Sequence, residues 1–425
     1  MTSGSPQSLS VGWQAAAALS ALALAPPLAV GCLLRPGWRT GVSERLGAHP
    51  AAGGARPIWL HGASVGEVRV AVRIARALAA RSEALAGSAT TAAGRSLWRE
   101  LAPGIPAGLA PLDHPWCVSR ALNRVQPRAL VLVETELWPS WITLAHARGV
   151  RVAIASARIS ERSFARYRRA RGLVRRVLAR VDAVAARSAS DAERFVALGA
   201  DPARVSITGD LKLEPDASAP ELAPDLAARL GDVPLLVAGS THAGEEQAAL
   251  AALAAAEAAG LRAALVLAPR RSERAGEVLT LARGRRVRLR SAGEGAALRA
   301  GEVLVLDTLG ELPALWPRAS VAFVGGTLVR GVGGHNLIEP AQHARLVLHG
   351  PHCENARDAE ELLRASGGGE RVVDAADLAR AVVGALRDPA RTAALGAAGR
   401  AALEGHRGAL ARTIARIDAL LVSAR

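Results

Sequence analysis

Short apolar runs alternate with longer amphipathic stretches over most of the chain, and this alternation restricts the fold more than any other feature. Each run ends in a polar or glycine-rich turn that leads into a stretch with helical periodicity. The runs are residues 57–61, 129–133, 151–155, 183–186, 235–238, 263–268, 303–307 and 321–324. Strand–loop–helix alternation predicts an α/β fold, in which parallel sheets are covered by helices on both faces.

A break in this pattern divides the chain. Residues 214–226 are rich in Pro, Asp and Ser and carry no apolar periodicity, which is typical of a linker. A chain of 425 residues is also long enough for two domains. We therefore predict an N-terminal segment over 1–40, a first α/β domain over 41–214 and a second over 215–425. Ligands of such sheets bind beyond the carboxyl ends of the strands, so the crevice between the domains is the expected active site.

The N-terminal segment has the composition of a membrane anchor. No charged side chain precedes Arg35, and residues 13–34 are apolar over about the length of a bilayer core. A cleaved signal peptide would begin with a positive region, and no such region precedes the apolar stretch. Gln14 and a Pro-Pro pair weaken a membrane span, so an anchor lying in the interface stays open. Because Arg35 and Arg39 follow the apolar stretch, the domains after it are expected in the cytoplasm.

The positive charge is concentrated in one segment. The chain has 53 Lys and Arg against 38 Asp and Glu, a net charge of +15, and residues 151–187 contain eleven arginines but two carboxylates. A solvated helix face is the usual explanation, although a segment this unbalanced repels itself unless it meets anions. Nucleic acid and anionic lipid both qualify. Phe164 and Tyr167 are the segment's only aromatics, too few for base stacking, so phosphorylated lipid is the favoured partner.

Two loops of the first half carry carboxylates. Glu67 follows the first run, and Ser64 stands three residues before it. This spacing fits a helix-capping box as well as it fits a general base at the crevice. Glu134 and Glu136 directly follow the second run, where alternate side chains point in opposite directions. One of them is expected to face the crevice, and capping of the next helix is the alternative.

Lys212 is the only lysine among the 53 basic residues. Arginine can replace lysine at most exposed positions, whereas a compact ammonium at a tight contact is not interchangeable with a guanidinium. The position therefore indicates a functional cation, with chance survival as the alternative.

Glycine-rich and polar loops follow four of the runs in the second half. They read AGSTHAGEE (238–246), PRRSER (269–274), TLGE (308–311) and GGTLVRGVGGHN (325–336). Glycines allow the backbone to approach a ligand closely, and helix N-termini offer N–H groups to phosphate. The second domain is therefore predicted to bind an anionic, phosphorylated ligand.

Several classes of protein are excluded by the same inspection. The chain has no P-loop, no GxGxxG in a first βαβ unit and no GxSxG, which argues against a P-loop ATPase, a dinucleotide-dependent dehydrogenase and a serine hydrolase. Its histidines lack metal-ligand spacing and its three cysteines lie far apart, so neither a zinc site nor a disulfide framework is expected. Half of the residues are apolar, which excludes a disordered chain.

Nine motifs in order along the chain resemble those of the 3-deoxy-D-manno-octulosonic acid (Kdo) transferases. They are HGASVGE, ETELWP, ARISERSFARY, GDLKLE, GSTHAGEE, PRRSER, DTLGEL, FVGGTLVRGVGGHNLIEP and GPHCEN, and the similarity covers nearly the whole chain. The resemblance implies the GT-B glycosyltransferase fold, with two Rossmann-like domains facing a cleft and an N-terminal membrane-anchor helix. It also implies inverting transfer of Kdo from CMP-Kdo to the lipid A precursor lipid IVA, without a cofactor or metal. The implied location is the cytoplasmic face of the bacterial inner membrane, where the lipopolysaccharide core is begun.

The resemblance assigns roles to individual residues. Glu67 matches the general base that deprotonates the acceptor hydroxyl, and Glu134 and Lys212 match positions that stabilise the transition state. The CMP-binding segments correspond to Pro269, Arg270, Leu309, Gly310, Glu311, Asn336, Leu337, Ile338 and Glu339. The implied partners are CMP-Kdo, lipid IVA and anionic inner-membrane lipids, with no nucleic acid.

Three positions depart from the family's usual pattern. Arg271 stands where the family has a histidine, residues 90–94 read TTAAG in place of a sequence near TPTG, and Ala356 replaces an aromatic residue after Asn355. These departures concern local contacts and leave the implied reaction class unchanged.

Two other functions stay open at this point: another two-domain glycosyltransferase that uses a nucleotide sugar, and a membrane-tethered nucleic-acid-binding protein with steeply salt-dependent affinity.

Overall fold

Two compact units make up the described part of the chain. The computed structural model describes residues 41–50, 56–215, 220–293 and 295–422. The first unit contains the chain up to Leu211 and again from Gly408, and the second runs from Lys212 to Arg407. Each unit has one seven-stranded sheet whose strands pair in parallel. The predicted α/β class with parallel sheets is therefore confirmed in both units.

The sheet of the first unit has the strand order β3-β2-β1-β4-β5-β6-β7. Its strands are β1 (Ile58–Gly62), β2 (Leu85–Ala89), β3 (Ala107–Leu109), β4 (Ala129–Val133), β5 (Arg151–Ala157), β6 (Ala183–Ala186) and β7 (Val205–Ile207). The accompanying helices are α1 (Val42–Arg45), α2 (Val65–Ala79), α3 (Ala92–Leu101), α4 (Pro115–Val125), α5 (Pro139–Ala147), α6 (Glu161–Arg169), α7 (Arg171–Leu178) and α8 (Ala189–Leu198).

The two central strands of this sheet, β1 and β4, are buried on both faces. Leu60 and Val131 pack in the apolar cluster on one face, and Trp59 and Leu130 pack in the cluster on the other. Because successive side chains of a strand point to opposite faces, a strand covered on both faces is apolar at every position. This burial explains why β4 is an unbroken apolar run in the sequence and why β1 is apolar over its first three residues.

Hydroxyl side chains begin four helices at the carboxyl edge of the first sheet. Ser64, Thr91, Ser160 and Ser188 are the N-caps of α2, α3, α6 and α8, and each accepts a hydrogen bond from a backbone N–H of the first turn. An N-cap side chain satisfies one of the N–H groups that the helix leaves without a partner. Residues 90–94, which depart from the usual sequence near TPTG, therefore still provide a helix cap. Thr91 Oγ1 lies 3.1 Å from the Gly94 nitrogen.

The sheet of the second unit has the order β10-β11-β9-β8-β12-β13-β14. Its strands are β8 (Leu235–Thr241), β9 (Ala264–Pro269), β10 (Val287–Leu289), β11 (Val303–Val305), β12 (Val321–Val324), β13 (Val347–His349) and β14 (Gly369–Arg371). Its helices are α9 (Pro224–Leu230), α10 (Glu245–Ala258), α11 (Ala275–Leu281), α12 (Leu312–Leu315), α13 (Ile338–Ala341), α14 (Arg357–Ser366), α15 (Ala375–Arg387) and α16 (Pro389–Glu404).

All eight predicted runs coincide with strands, namely β1, β4, β5, β6, β8, β9, β11 and β12. The strands that the alternation does not reveal are β2, β3, β7, β10, β13 and β14; all except β2 have three residues. A three-residue strand is too short to show a periodicity of its own. Helix α9 begins at Pro224, inside the stretch that the composition indicates as a linker.

The last helix, α17 (Ala409–Val422), changes the predicted domain assignment of residues 215–425. Ala409, Ile414 and Ile417 are buried in the apolar core of the first unit, alongside residues of α2 and β5. The chain therefore returns to the first unit after Arg407. The sequence shows an amphipathic helix here, but amphipathicity does not specify which of two apolar surfaces the helix covers.

The predicted anchor over residues 13–34 lies outside the described residues. Among the helices that the structure does describe, none combines the length and the apolar character needed to cross a membrane.

Replacement of Ile417 by alanine should lower the free energy of unfolding of the first unit by about 2–5 kcal/mol, because it opens a cavity at a buried position. Val422→Ala on the same helix is the matched control, since the Val422 side chain is 72% exposed and its truncation should change stability by less than about 0.5 kcal/mol. Chemical denaturation of both variants measures the difference. Equal stability of the two variants would contradict the placement of α17.

Candidate active site

Glu67 lies in the first turn of α2, directly after the end of strand β1. Its Oε2 accepts the Ala63 backbone N–H at 2.8 Å, and its Oε1 accepts the Ser64 hydroxyl at 2.7 Å. The Glu67 backbone N–H in turn donates to Ser64 Oγ at 3.3 Å. The Ser64–Glu67 spacing thus forms a capping arrangement, and both carboxylate oxygens keep room for a further partner because each has two lone pairs.

The surroundings of Glu67 make its carboxylate a better proton acceptor. Burial raises the pKa of Glu67, the hydrogen bonds from Ser64 and Ala63 oppose the rise, and the negative charges of Glu134 and Glu136 add to it. A raised pKa increases the affinity of the ionised form for a proton. The structure therefore brings Glu67 and the two carboxylates that follow β4 into one electrostatic cluster.

Glu134 adopts an unusual backbone conformation at the end of β4. Its φ is +64°, in the left-handed region that residues with a side chain rarely occupy, and its N–H donates to the Ala155 carbonyl of β5 at 2.9 Å. Such a conformation costs on the order of 1–3 kcal/mol and persists only where the surroundings hold it. The neighbouring strand therefore holds the chain in this turn and sets the direction in which it leaves the sheet.

A buried histidine that the sequence did not single out supports Glu136. His61 Nδ1 lies 3.0 Å from Ser88 Oγ, which also accepts the Trp59 indole N–H at 3.0 Å. Ser88 can then give its own proton to Nδ1, which leaves the hydrogen of His61 on Nε2. That atom lies 3.7 Å from Glu136 Oε2, and the Trp138 indole donates to the same oxygen. In the sequence, His61 is the first residue of the motif HGASVGE, and Glu136 and Trp138 belong to the motif ETELWP.

Lys212 lies in the turn that begins the second unit. Its Nζ is 3.9 Å from Asp358 Oδ2, in the first turn of α14, and both side chains are partly buried. An ion pair at this distance holds the ammonium at a defined place beside α14.

A second glutamate organises the glycine-rich loop of the second unit. Glu245 is the first residue of α10 and is completely buried. Its carboxylate accepts the backbone N–H groups of His242 (2.9 Å), Gly326 (2.7 Å), Thr327 (3.0 Å) and Leu328 (2.9 Å). These bonds join the loop after β12 to the start of α10. Glu245 belongs to the motif GSTHAGEE, but nothing in the sequence alone indicates this role.

Two positions of this loop require glycine. A Cβ at Gly325 would lie 2.5 Å from the Ser240 carbonyl oxygen, and Gly326 has a φ of +70° with the His335 ring 2.8 Å from the same point. No other residue avoids both the contact and the strained φ. The glycines of the motif therefore bring the strand ends and the His335 ring close together.

Two imidazoles meet beside Arg270. The Nε2 atoms of His242 and His335 are 2.9 Å apart, and the two rings are nearly parallel, at 9°. Burial, and after it the charges of His242 and Arg270, lower the pKa of His335 to about 4. Arg270 is exposed and, among the described residues, forms no ion pair. At the carboxyl end of the second sheet, no carboxylate of the described residues therefore neutralises the charge of Arg270.

The predicted segment over residues 309–311 forms an exposed turn. Leu309 is 83% exposed and Gly310 has a φ of +84°. The Glu311 carboxylate is held by the Arg290 guanidinium, with contacts of 2.9–3.1 Å. Pro269 is the last residue of β9, and the Arg270 backbone N–H donates to the Thr241 carbonyl.

The predicted segment over residues 336–339 presents two polar side chains. Glu339 accepts the Trp316 indole N–H at 3.1 Å on one oxygen and the Asn336 amide at 3.1 Å on the other. Leu337 and Ile338 are buried in the apolar core of the unit. What this segment can offer to a ligand is therefore its backbone and the side chains of Asn336 and Glu339. In the described part of the chain, no group of three or more His, Cys, Asp or Glu side chains could hold a metal ion.

Comparison with known proteins gives consistent matches over most of the chain. Residues 40–215 match the family described as 3-deoxy-D-manno-octulosonic-acid transferase (kdotransferase). The 3-deoxy-D-manno-octulosonic acid transferase of Bordetella pertussis is 35% identical over 392 residues, which cover 88% of this chain and 90% of the relative. The enzyme of the same name from Haemophilus influenzae is 31% identical over 389 residues, with 89% and 91% covered.

A solved structure also aligns with part of the chain. The crystal structure of the C-terminal CMP-Kdo binding domain of WaaA from Acinetobacter baumannii is 27% identical and covers 42% of this chain and 92% of that one, with a TM-score of 0.39.

Replacement of Gly62 by alanine should displace the turn that carries Glu67. The new Cβ would lie 2.7–2.8 Å from the Glu67 and Val68 backbone, which cannot move without shifting the helix start. We expect a loss of about 1–3 kcal/mol in the free energy of unfolding, as for other overpacked sites. Gly104→Ala, where a Cβ meets nothing within 4 Å, is the control in a denaturation experiment. A Gly62→Ala variant as stable as this control would show that the close contact is absent.

Proposed function

The chain belongs to the family of 3-deoxy-D-manno-octulosonic acid transferases, and we propose that it transfers Kdo from CMP-Kdo to lipid IVA. The enzyme is thus a glycosyltransferase of lipopolysaccharide core biosynthesis. The observation that carries the proposed chemistry is the half-buried carboxylate of Glu67, placed at a strand end beside Glu134 and Glu136 with a raised pKa.

In the proposed reaction Glu67 is the general base. The acceptor hydroxyl gives its proton to the Glu67 carboxylate while its oxygen attacks the anomeric carbon of Kdo. The bond between that carbon and the phosphate oxygen breaks on the opposite face, which inverts the configuration. A base whose pKa lies nearer to the working pH takes the proton more effectively, and burial together with the neighbouring carboxylates supplies this shift. The strained turn at Glu134 supports a role for that residue in stabilising the transition state.

The leaving CMP gains negative charge as the bond breaks, and we propose that protein cations stabilise it without a metal. Arg270, which directly follows β9, supplies an exposed guanidinium at the carboxyl end of the second sheet. Lys212 adds an ammonium that Asp358 positions. Fixed positive groups of this kind stabilise developing charge because they need no reorganisation during the reaction. Glu339, Asn336 and the turn over residues 309–311 are the proposed contacts of the nucleoside.

The two parallel-sheet units are proposed to be the Rossmann-like domains of a GT-B glycosyltransferase. We further propose that residues 1–40 anchor the enzyme at the cytoplasmic face of the bacterial inner membrane, where its lipid acceptor resides. The apolar composition of residues 13–34, followed by Arg35 and Arg39, supports this location.

A basic surface on α6 and α7 supports contact with anionic lipid. It consists of seven exposed arginines that form no ion pair with any described residue, namely Arg162, Arg166, Arg168, Arg169, Arg171, Arg175 and Arg176. Leu173, 44% exposed, lies among them. Phe164 and Tyr167 each have an arginine over the ring at 5.4–5.9 Å, which leaves little aromatic surface for base stacking. Phosphorylated lipid is therefore the proposed partner of this surface, and nucleic acid is not.

The proposed function is tested by incubating the purified full-length protein with CMP-Kdo and lipid IVA. Mass spectrometry of the lipid should show the addition of Kdo, and the number of added residues follows from the mass. An unchanged lipid, or transfer from a different nucleotide sugar under the same conditions, would refute the proposal.

The Glu67→Gln variant should lose transfer activity by about 10²- to 10⁴-fold, the usual contribution of a general base. Its affinity for CMP should stay the same, because the amide keeps the size of the side chain. In the parent enzyme, activity should fall on acidification as Glu67 becomes protonated. This acid limb should lie above the range of an ordinary carboxyl group because the pKa of Glu67 is raised. Glu100→Gln, at an exposed position of α3, is the control. Normal turnover by the Glu67 variant would remove the base assignment.

Neutralising three arginines of the basic surface, as Arg168→Gln, Arg169→Gln and Arg175→Gln together, should weaken binding to anionic vesicles by roughly 100-fold, since each such residue contributes about 1 kcal/mol near an anionic surface. Sedimentation with vesicles of phosphatidylglycerol and phosphatidylethanolamine measures the change. A triple variant in the second unit, with Arg262, Arg283 and Arg391 replaced by Gln, carries the same net charge and serves as control. Equal binding of the two triple variants would argue against the basic surface as the lipid contact.

A further inference from the structure

The contact between His242 and His335 has no role in the chemistry described above. His242 follows strand β8, and His335 precedes the segment that holds Asn336 and Glu339. Their Nε2 atoms are 2.9 Å apart, which is hydrogen-bonding distance. One ring must therefore donate and the other accept, so at least the accepting ring is neutral.

The surrounding loops hold this pair in place. The backbone N–H of His242 donates to the buried Glu245 carboxylate, which also binds the N–H of Gly326. The His335 ring lies directly over Gly326, where a Cβ would come within 2.8 Å of it. Both imidazoles are thus positioned by the same carboxylate and glycine loop, which is more than a chance surface contact would require.

The charges that face the pair favour an anion. Arg270, from the end of β9, lowers the pKa of His335, as do burial and His242. On α10 the Glu245 carboxylate is occupied by four backbone N–H groups, and on α13 the Glu339 carboxylate is occupied by Trp316 and Asn336. No described carboxylate forms an ion pair with Arg270. A bound oxyanion would offset the positive charge of Arg270, which disfavours protonation of His335, and would therefore favour a proton on the pair.

We propose that the His242–His335 pair is a proton-linked receptor for the phosphate of the sugar donor. This inference rests on the proposed use of CMP-Kdo. When the donor binds, its phosphate accepts hydrogen bonds from Arg270 and from the pair, which takes up one proton from solvent. When the bond between Kdo and the phosphate oxygen breaks, the electron pair stays on that oxygen and the phosphate gains one negative charge. The imidazolium formed earlier balances this charge until CMP leaves, and the proton then returns to solvent.

Calorimetric titration of the full-length protein with CMP tests the proposal. At pH 7.5 the second ionisation of the CMP phosphate, near pH 6, is almost complete, so a proton taken up comes mainly from solvent. Titrations in buffers of different ionisation enthalpy give the number of protons bound per CMP. We expect an uptake approaching one proton, and a dissociation constant that rises with pH by at most about tenfold per unit.

The variants His335→Gln and His242→Gln separate protonation from simple hydrogen bonding, because glutamine keeps a donor but cannot be protonated. Each should bind CMP with little or no proton uptake and with a weaker dependence on pH. His343→Gln is the matched control, since burial also lowers the pKa of His343 but this residue lies outside the pair. It should retain the proton uptake of the parent enzyme. Should one variant of the pair fail to fold in a thermal-unfolding measurement, the other decides.

Two results would overturn the inference: CMP binding by the parent enzyme without proton uptake, or full proton uptake by a folded variant of the pair. A parent enzyme that does not bind CMP at all would instead refute the proposed donor, and the inference with it. These outcomes are distinguishable because the titration reports binding and proton uptake separately.

Discussion

In each unit, a glutamate in the first turn of a helix that follows a strand organises the carboxyl end of the sheet, where the candidate site residues lie. In the second unit Glu245 accepts four backbone N–H groups and joins the glycine loop to α10. In the first unit Glu67 accepts one backbone N–H and one hydroxyl. This difference determines their chemistry. A carboxylate saturated with N–H donors is a fixed anion that stabilises a loop, whereas one with spare lone pairs and a raised pKa can accept a proton.

The candidate site residues at the carboxyl ends of the two sheets differ in charge. The first gathers the carboxylates of Glu67, Glu134 and Glu136, and the second gathers Arg270 and two imidazoles. Glycosyl transfer from a nucleotide donor needs both kinds of group, a proton acceptor for the incoming hydroxyl and positive charge for the leaving phosphate. The left-handed backbone of Glu134 and the close contacts at Gly325 and Gly326 fix the course of the chain at these strand ends.

Much of the fold could be predicted because burial leaves a direct trace in the sequence. Strands covered on both faces, such as β4, can be apolar at every position, and the alternation therefore located eight of the fourteen described strands. The three-residue strands β3, β7 and β10 left no such trace, since their positions depend on pairing with a neighbour. The last helix was placed with the wrong unit for a related reason. Its apolar face shows that it packs against something, but not against which sheet.

The sequence by itself determined the fold class, the family and the loops that hold the candidate site residues, because apolar periodicity and motif order are properties of the chain alone. It located Glu67, Glu134, Lys212 and Arg270 at strand ends or turns, but it left the capping and catalytic readings of Glu67 equal. Only the tertiary structure decided that Glu67 bonds to the N-cap Ser64 and also has a raised pKa, and that Glu245 binds four backbone N–H groups. It also decided that His242 and His335 meet although 93 positions separate them in the sequence. Burial, electrostatic neighbours and contacts between distant residues arise when strands pair and helices pack, and no local pattern of residues records them.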